Sequence, residues 1–152
     1  KGTKWVVHNL IDAVAKGGNF MAGIGPDGSG RFHPEAIAQL RQAGSWLKIN
    51  GEGIYATRAR EGDLWKQGDQ IRYTRSKDNK AVYAFAFEWP GEQLILQTVK
   101  PGRKGRVFLM GDNRALPWKH DGSRGLVIDL PAGLRENLSP AAQIAYGFKI
   151  EI

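Results

Sequence analysis

Lys16-Gly-Gly-Asn-Phe-Met-Ala-Gly-Ile-Gly-Pro-Asp-Gly28 is the stretch on which the fold of this chain turns. Gly17-Gly18 stops a helical segment, because glycine enters the left-handed cap conformation at little cost. Asn19 to Ile24 form a short apolar run without polar alternation, the pattern of a strand buried on both faces. Gly25-Pro-Asp-Gly28 is a turn in which proline presets φ and glycine permits positive φ. Ser29 to His33 bridge to a further helix.

Helices flank this joint on both sides. Over residues 4–16, Val7, Leu10, Ile11 and Val14 fall on one helical stripe. Pro34 opens a second helix that runs to about Ile49, and Glu35 suits its positive end. Ile37, Leu40, Gly44 and Leu47 share one face, with Gly44 expected to allow close packing, and Asn50-Gly51 ends the helix. Helix, strand, helix in this order is a piece of an α/β architecture.

Past residue 60 the periodicity changes. Residues 70–75 and 80–89 read as strands joined by Ser76-Lys-Asp-Asn79. In the second of them Tyr83, Phe85, Phe87 and Trp89 alternate with Val82, Ala84, Ala86 and Glu88, so one face is aromatic. That face is expected to line a sandwich core. Further strands are expected at 93–99, 106–110, 116–119, 126–130 and 143–152, with turns at Gly111–Asn113 and His120–Ser123. Seven or so short strands at this spacing point to an antiparallel β-sandwich. The expected fold is therefore α+β: residues 1–60 a helix-strand-helix remnant of a barrel, residues 61–152 a sandwich.

Composition narrows the function classes. The net charge is +7 over 152 residues, but the basic residues are dispersed. The densest group, Lys100, Arg103, Lys104 and Arg106, sits among Pro101, Gly102 and Gly105, as a solvated turn would. No recognition-helix or RNA-binding motif accompanies the charge, so a nucleic-acid partner is not expected. No apolar run approaches the ~20 residues of a membrane span, so no membrane partner is expected either. There is no cysteine, and His8, His33 and His120 are too scattered for a ligand set, so neither a metal nor a cofactor is expected.

Lys16-Gly-Gly-Asn-Phe-Met-Ala-Gly-Ile-Gly-Pro-Asp-Gly-Ser-Gly-Arg-Phe-His-Pro-Glu-Ala-Ile37 and Gly44-Ser-Trp-Leu-Lys-Ile-Asn-Gly-Glu-Gly-Ile-Tyr-Ala-Thr-Arg58 resemble the end of the catalytic domain of α-L-fucosidases, family 29 glycoside hydrolases. The later Ile71-Arg-Tyr-Thr-Arg-Ser-Lys-Asp78 and the aromatic strand look like their C-terminal β-sandwich. The resemblance implies a (β/α)₈-like barrel, with residues 19–25 its last strand and 34–49 its last helix. Many members carry asparagine where Gly23 stands, so no side-chain role passes to that position.

The resemblance also implies a retaining hydrolase of α-linked L-fucose. Such chemistry needs two carboxyl groups about 5–5.5 Å apart, a nucleophile and an acid/base. In the family both lie upstream of the strand seen here, so no catalytic residue is assigned in this chain, and the chain alone is expected to be inactive. Its partners are then fucosylated glycans, through the complete enzyme. Residues 19–24 are expected to find strand partners in the missing barrel portion or a second copy of the chain, or else residues 1–50 refold against the sandwich. The alternative is a stand-alone sandwich module that binds glycans or mediates assembly.

Gly25, Pro26 and Asp27 form the loop after the barrel strand, where barrel enzymes hold substrate; turn chemistry alone also accounts for them. Trp65 and Trp118, in turn-rich surroundings, are the candidates for stacking on sugar. Asp12, Glu52 and Glu88 are read as surface or contact residues. Ser123, His120 and Asp121 lie too close in one turn to make a relay.

Overall fold

A computed structural model describes all of residues 1–152. Helix α1 spans Thr3–Ala15 and α2 spans Pro34–Asn50. Nine strands follow: β1 Thr57–Arg58, β2 Lys66–Gln67, β3 Ile71–Ser76, β4 Ala81–Ala86, β5 Gln93–Leu96, β6 Val107–Leu109, β7 Trp118–Asp121, β8 Gly125–Asp129 and β9 Tyr146–Glu151. The fold is α+β, as the sequence leads one to expect.

All strand pairs are antiparallel. One sheet has the order β1-β3-β4-β9-β6, with β2 also on β3, and the other has the order β5-β8-β7. The helices cover the outer face of the larger sheet, giving three layers: helices, large sheet, small sheet. Two cores result. Between the sheets lie Tyr73, Val82, Ala84, Ala86, Leu94, Leu96, Leu126, Ile128, Phe148 and Ile150. Between the large sheet and the helices lie Val7, Ile11, Ala43, Trp46, Tyr83, Phe85 and Met110.

The aromatic face of β4 thus packs against the helices and not between the sheets. The small face, Val82, Ala84 and Ala86, turns inward, where the leucines and isoleucines of the small sheet fill the space. Alternation gives the two faces of a strand but not their neighbours. Only Trp89, beyond the end of β4, packs against the inter-sheet core.

The caps form as the sequence indicates. Gly17 has φ +84°, its N–H donates to the Val14 carbonyl, and the Gly18 N–H donates to the Ala13 carbonyl, closing α1 with a Schellman motif. At the other helix the Glu35 N–H donates to His33 Nδ1, and Pro34 occupies the first turn. Asn79 takes φ 60° in the β3–β4 turn, where Asp78 accepts from Ser76 Oγ and the Lys80 N–H.

Two expectations fail locally. Residues 19–24 do not form a strand. Within this chain no strand lies beside them, so their backbone groups turn to water, and Met21 is 91% exposed. What does occur is the alternative arrangement, the packing of residues 1–50 against the sandwich. Gly44 makes no close contact: a Cβ there would meet nothing within 4 Å. The buried face of α2 is instead Ala43, Trp46 and Asn50, which leaves Ile37, Leu40 and Leu47 half-buried.

Candidate functional site

A glycoside hydrolase acid must hold its proton near neutral pH, so its carboxyl must be pushed above the ordinary range. Every displaced carboxyl in this chain moves the other way. Each is committed to a cation or to the donors of its own turn, and those donors favour the charged form.

Asp27 is the clearest case. Its Oδ1 accepts from the Ser29 N–H at 2.8 Å, Ser29 Oγ at 2.6 Å and the Arg31 N–H at 3.0 Å. These bonds, led by Ser29, hold it below its ordinary value. Gly25, Pro26 and Asp27 are exposed and line a shallow cleft with Phe32 and His33. The Asp27 carboxylate therefore shapes its loop and has little left for a ligand on that oxygen.

Glu52 is not the freely solvated residue expected after α2. It accepts from Tyr83 Oη at 2.8 Å and from Lys149 Nζ at 2.6 Å. Partial burial works against its ionisation, but these two donors outweigh it and lower its value. The Tyr83 hydroxyl is pushed up by burial and by the same carboxylate. Glu88 is exposed and pairs with Lys4 of α1. Asp121 accepts from the Ser123 N–H and Oγ, which closes the β7–β8 turn and leaves no relay with His120.

Asp12 holds α1 to the large sheet. Arg72 Nε donates to its Oδ1 at 2.6 Å, and Lys16 Nζ donates to its Oδ2 at 2.6 Å. Arg72 also lies 5.3 Å from the Trp65 ring and 5.1 Å from the Phe87 ring. Sequence reasoning missed this staple. The available signal was a lone arginine on the outward face of β3, between Ile71 and Tyr73, which a helix covers.

The pair is part-buried, with Arg72 12% and Asp12 28% exposed. Arg72→Ala is expected to lower unfolding free energy by about 2 kcal/mol, with lysine restoring only part of it. Burial works against the Asp12 charge, but Lys16 and Arg72 together hold its pKa below 3.8. This stabilisation is present above pH 3.8 and is lost as pH falls through the lower folded value. Urea titrations of the three proteins at neutral and acid pH check both statements.

The candidate stacking residues have other neighbours. Trp65 is ringed by Lys16 at 4.9 Å, Lys66 at 5.1 Å and Arg72 at 5.3 Å. Trp118 donates from Nε1 to the Gly105 carbonyl at 3.2 Å and packs on the inter-sheet core. Of the basic group at 100–106, Arg106 forks onto Glu151, while Arg103 and Lys104 project from an exposed turn.

His8 stacks on Phe87 with ring centres 4.3 Å apart, and its Nε2 lies 3.1 Å from the Ile144 carbonyl. Burial lowers its pKa below 6.5, opposed by the Ile144 carbonyl; Lys4 lowers it further and Glu88 raises it. The folded state therefore disfavours protonation. Stability is expected to fall as pH drops below 6.5, and His8→Gln is expected to flatten that dependence. Urea midpoints of the two proteins at about pH 7.5 and 5.5 measure it.

Comparison with known proteins assigns the chain. Residues 1–52 match the family model described as alpha-L-fucosidase, and residues 66–151 match that of the alpha-L-fucosidase C-terminal domain. The chain belongs to the α-L-fucosidase family. It is 34% identical over 128 residues to a plasma alpha-L-fucosidase of Rattus norvegicus, covering 83% of this chain and 28% of that protein. It is 31% identical over 134 residues to an alpha-L-fucosidase of Branchiostoma floridae, covering 88% and 29%. A crystal structure of Thermotoga maritima alpha-fucosidase with a mechanism-based inhibitor superposes with a TM-score of 0.82 at 27% identity, covering all of this chain and 34% of that one. The chain thus spans little more than a quarter of the curated α-L-fucosidases it matches.

Proposed function

We propose that this chain is the C-terminal part of a retaining α-L-fucosidase, and that it supplies architecture and not the catalytic carboxyl pair. Residues 1–60 would belong with the catalytic barrel and residues 61–152 form the sandwich. β1, at residues 57 and 58, already pairs with the sandwich strand β3, so the two parts are stitched together just before that boundary.

The observation that carries this reading is an apolar surface left open on one side. Trp5 (40% exposed), Met21 and Ile24 (37%) stand outward beside the half-buried Val6 and Leu40. A groove lined by Trp5, Val6, Met21, Ile24 and Leu40 runs through it. Apolar residues concentrated like this mark a surface made to be covered. A barrel whose last strand is 19–24 covers it and supplies the strand partners that the segment lacks. Fucosylated glycans are the substrates of that complete enzyme, with Gly25, Pro26 and Asp27 on the rim where barrel strands end.

Hydrogen exchange tests the structural half. Phe20–Ile24 amides are expected to exchange at nearly the intrinsic rate in this chain, while those of β4 and β9 are protected. Protection of Phe20–Ile24 comparable to β4 in a monomer contradicts the proposal, because the segment would then already have its partners.

A further inference from the structure

At the end of the sandwich the β4–β5 connection faces the segment that follows β8, and between them lies a cleft of about 470 Å³. This is within the range of small-ligand sites, roughly 300–1,000 Å³. It shares no residue with the cleft at Gly25–Pro34.

Four side chains give the cleft its chemistry. The half-buried Trp89 ring is held edge-on against Tyr146, with centroids 5.0 Å apart and planes at 69°. The Trp89 Nε1–H has no partner within the chain and is not buried. Arg135 donates from Nε to the Tyr146 hydroxyl at 3.1 Å, which fixes the guanidinium and leaves both Nη groups without a bond. The carboxylates of Glu92 and Glu136 are exposed and form no ion pair or hydrogen bond. In the cleft bordered by Glu52, Lys149 and Glu151, by contrast, both carboxylates are already paired, Glu52 with Lys149 and Glu151 with Arg106.

The walls are fixed in advance. The Leu130 N–H donates to the Glu92 carbonyl at 2.8 Å and so ties one wall to the other. Leu134 and Leu138 are buried in the inter-sheet core, and Gly133 makes the turn before Arg135 with φ +78°. A ligand therefore meets a surface that needs little ordering.

An indole face, free guanidinium donors and free carboxylate acceptors together are what a neutral pyranose requires. Its C–H face lies on the ring, and each ring hydroxyl both donates and accepts. Two carboxylates against one guanidinium disfavour sialylated or sulfated sugars. We propose that the Trp89–Glu92–Arg135–Glu136 cleft is a binding site for a neutral sugar residue on the sandwich. It holds a glycan at a point other than the barrel rim, and it stands whether or not the fucosidase reading does.

Titration of the ¹⁵N-labelled 152-residue chain with methyl α-L-fucopyranoside and with methyl β-D-galactopyranoside tests this. With at least one sugar, saturable shifts are expected at the Trp89 indole N–H, the Gly133 amide and the Arg135 Nε–H, at a dissociation constant of about 1–10 mM. Arg135→Ala and Glu136→Gln are each expected to weaken binding about tenfold. Glu136 makes no contact that folding needs, so its variant reports on binding alone. The proposal is overturned if neither sugar gives a saturable shift at these signals up to about 50 mM, or if either variant leaves binding unchanged.

Discussion

Trp46→Ala is expected to cost about 3–5 kcal/mol of unfolding free energy, which lowers Tm by on the order of 10 °C. Trp46 is fully buried between α2 and the large sheet, with its ring 5.8 Å from Phe85. Its Nε1–H donates to the Ala145 carbonyl at 2.8 Å, so truncation leaves a cavity and also an unpaired buried acceptor. Phenylalanine would fill most of the space without the hydrogen bond, and should recover more than half of the loss. Calorimetry of the two variants separates the packing from the polar contribution. A Trp46→Ala protein that melts like the parent would mean that α2 is not docked on the sheet.

Gly147→Ala has the next largest expected effect, about 3 kcal/mol, at the upper end of what a single added methyl costs in a packed core. Gly147 pairs with Phe85 across β9 and β4 and faces the helices. A Cβ there would collide with Asn50 Oδ1 and lie 3.0 Å from Met110 Sδ and 3.2 Å from the Phe85 ring. Asn50 is buried, and its Nδ2 donates to the Trp46 carbonyl at 3.3 Å, so it has no free direction in which to retreat. Gly44→Ala makes the control: the site is open and helical, and alanine should stabilise by about 0.5–1 kcal/mol. Urea midpoints of both variants, at unchanged m, give the two signs.

Those two sites mark the line between what was legible in the chain and what was not. The helices were legible because their ends carry chemistry, Gly17-Gly18 at one and His33-Pro34 at the other. The β3–β4 hairpin was legible because Ser76–Asn79 reads as a turn and β4 alternates aromatic and small residues. Which side of β4 meets which layer was not legible. Tyr83 and Phe85 could have faced either way, and the deciding partners, Val7, Ile11 and Trp46, lie some 35–80 residues earlier.

The run at 19–24 reads as a strand because its composition is that of one. A strand also needs neighbours, and composition does not supply them. The same limit applies to the site. The Arg72 staple joins residues 60 apart, and the Trp89–Arg135 cleft joins two loops that sequence alone leaves unrelated. The family assignment was legible for the opposite reason. It rests on a contiguous stretch, residues 16–58, with its glycines, Pro26, Pro34 and Trp46.

The measurement that bears most directly on the account is turnover of an aryl α-L-fucoside by the purified 152-residue chain. Release of the phenol is expected to be no faster than in buffer, because every displaced carboxylate is lowered and committed to its own donors. Turnover that co-purifies with the chain and is abolished by Asp27→Asn or Glu52→Gln would contradict it, and would place the catalytic pair within these residues.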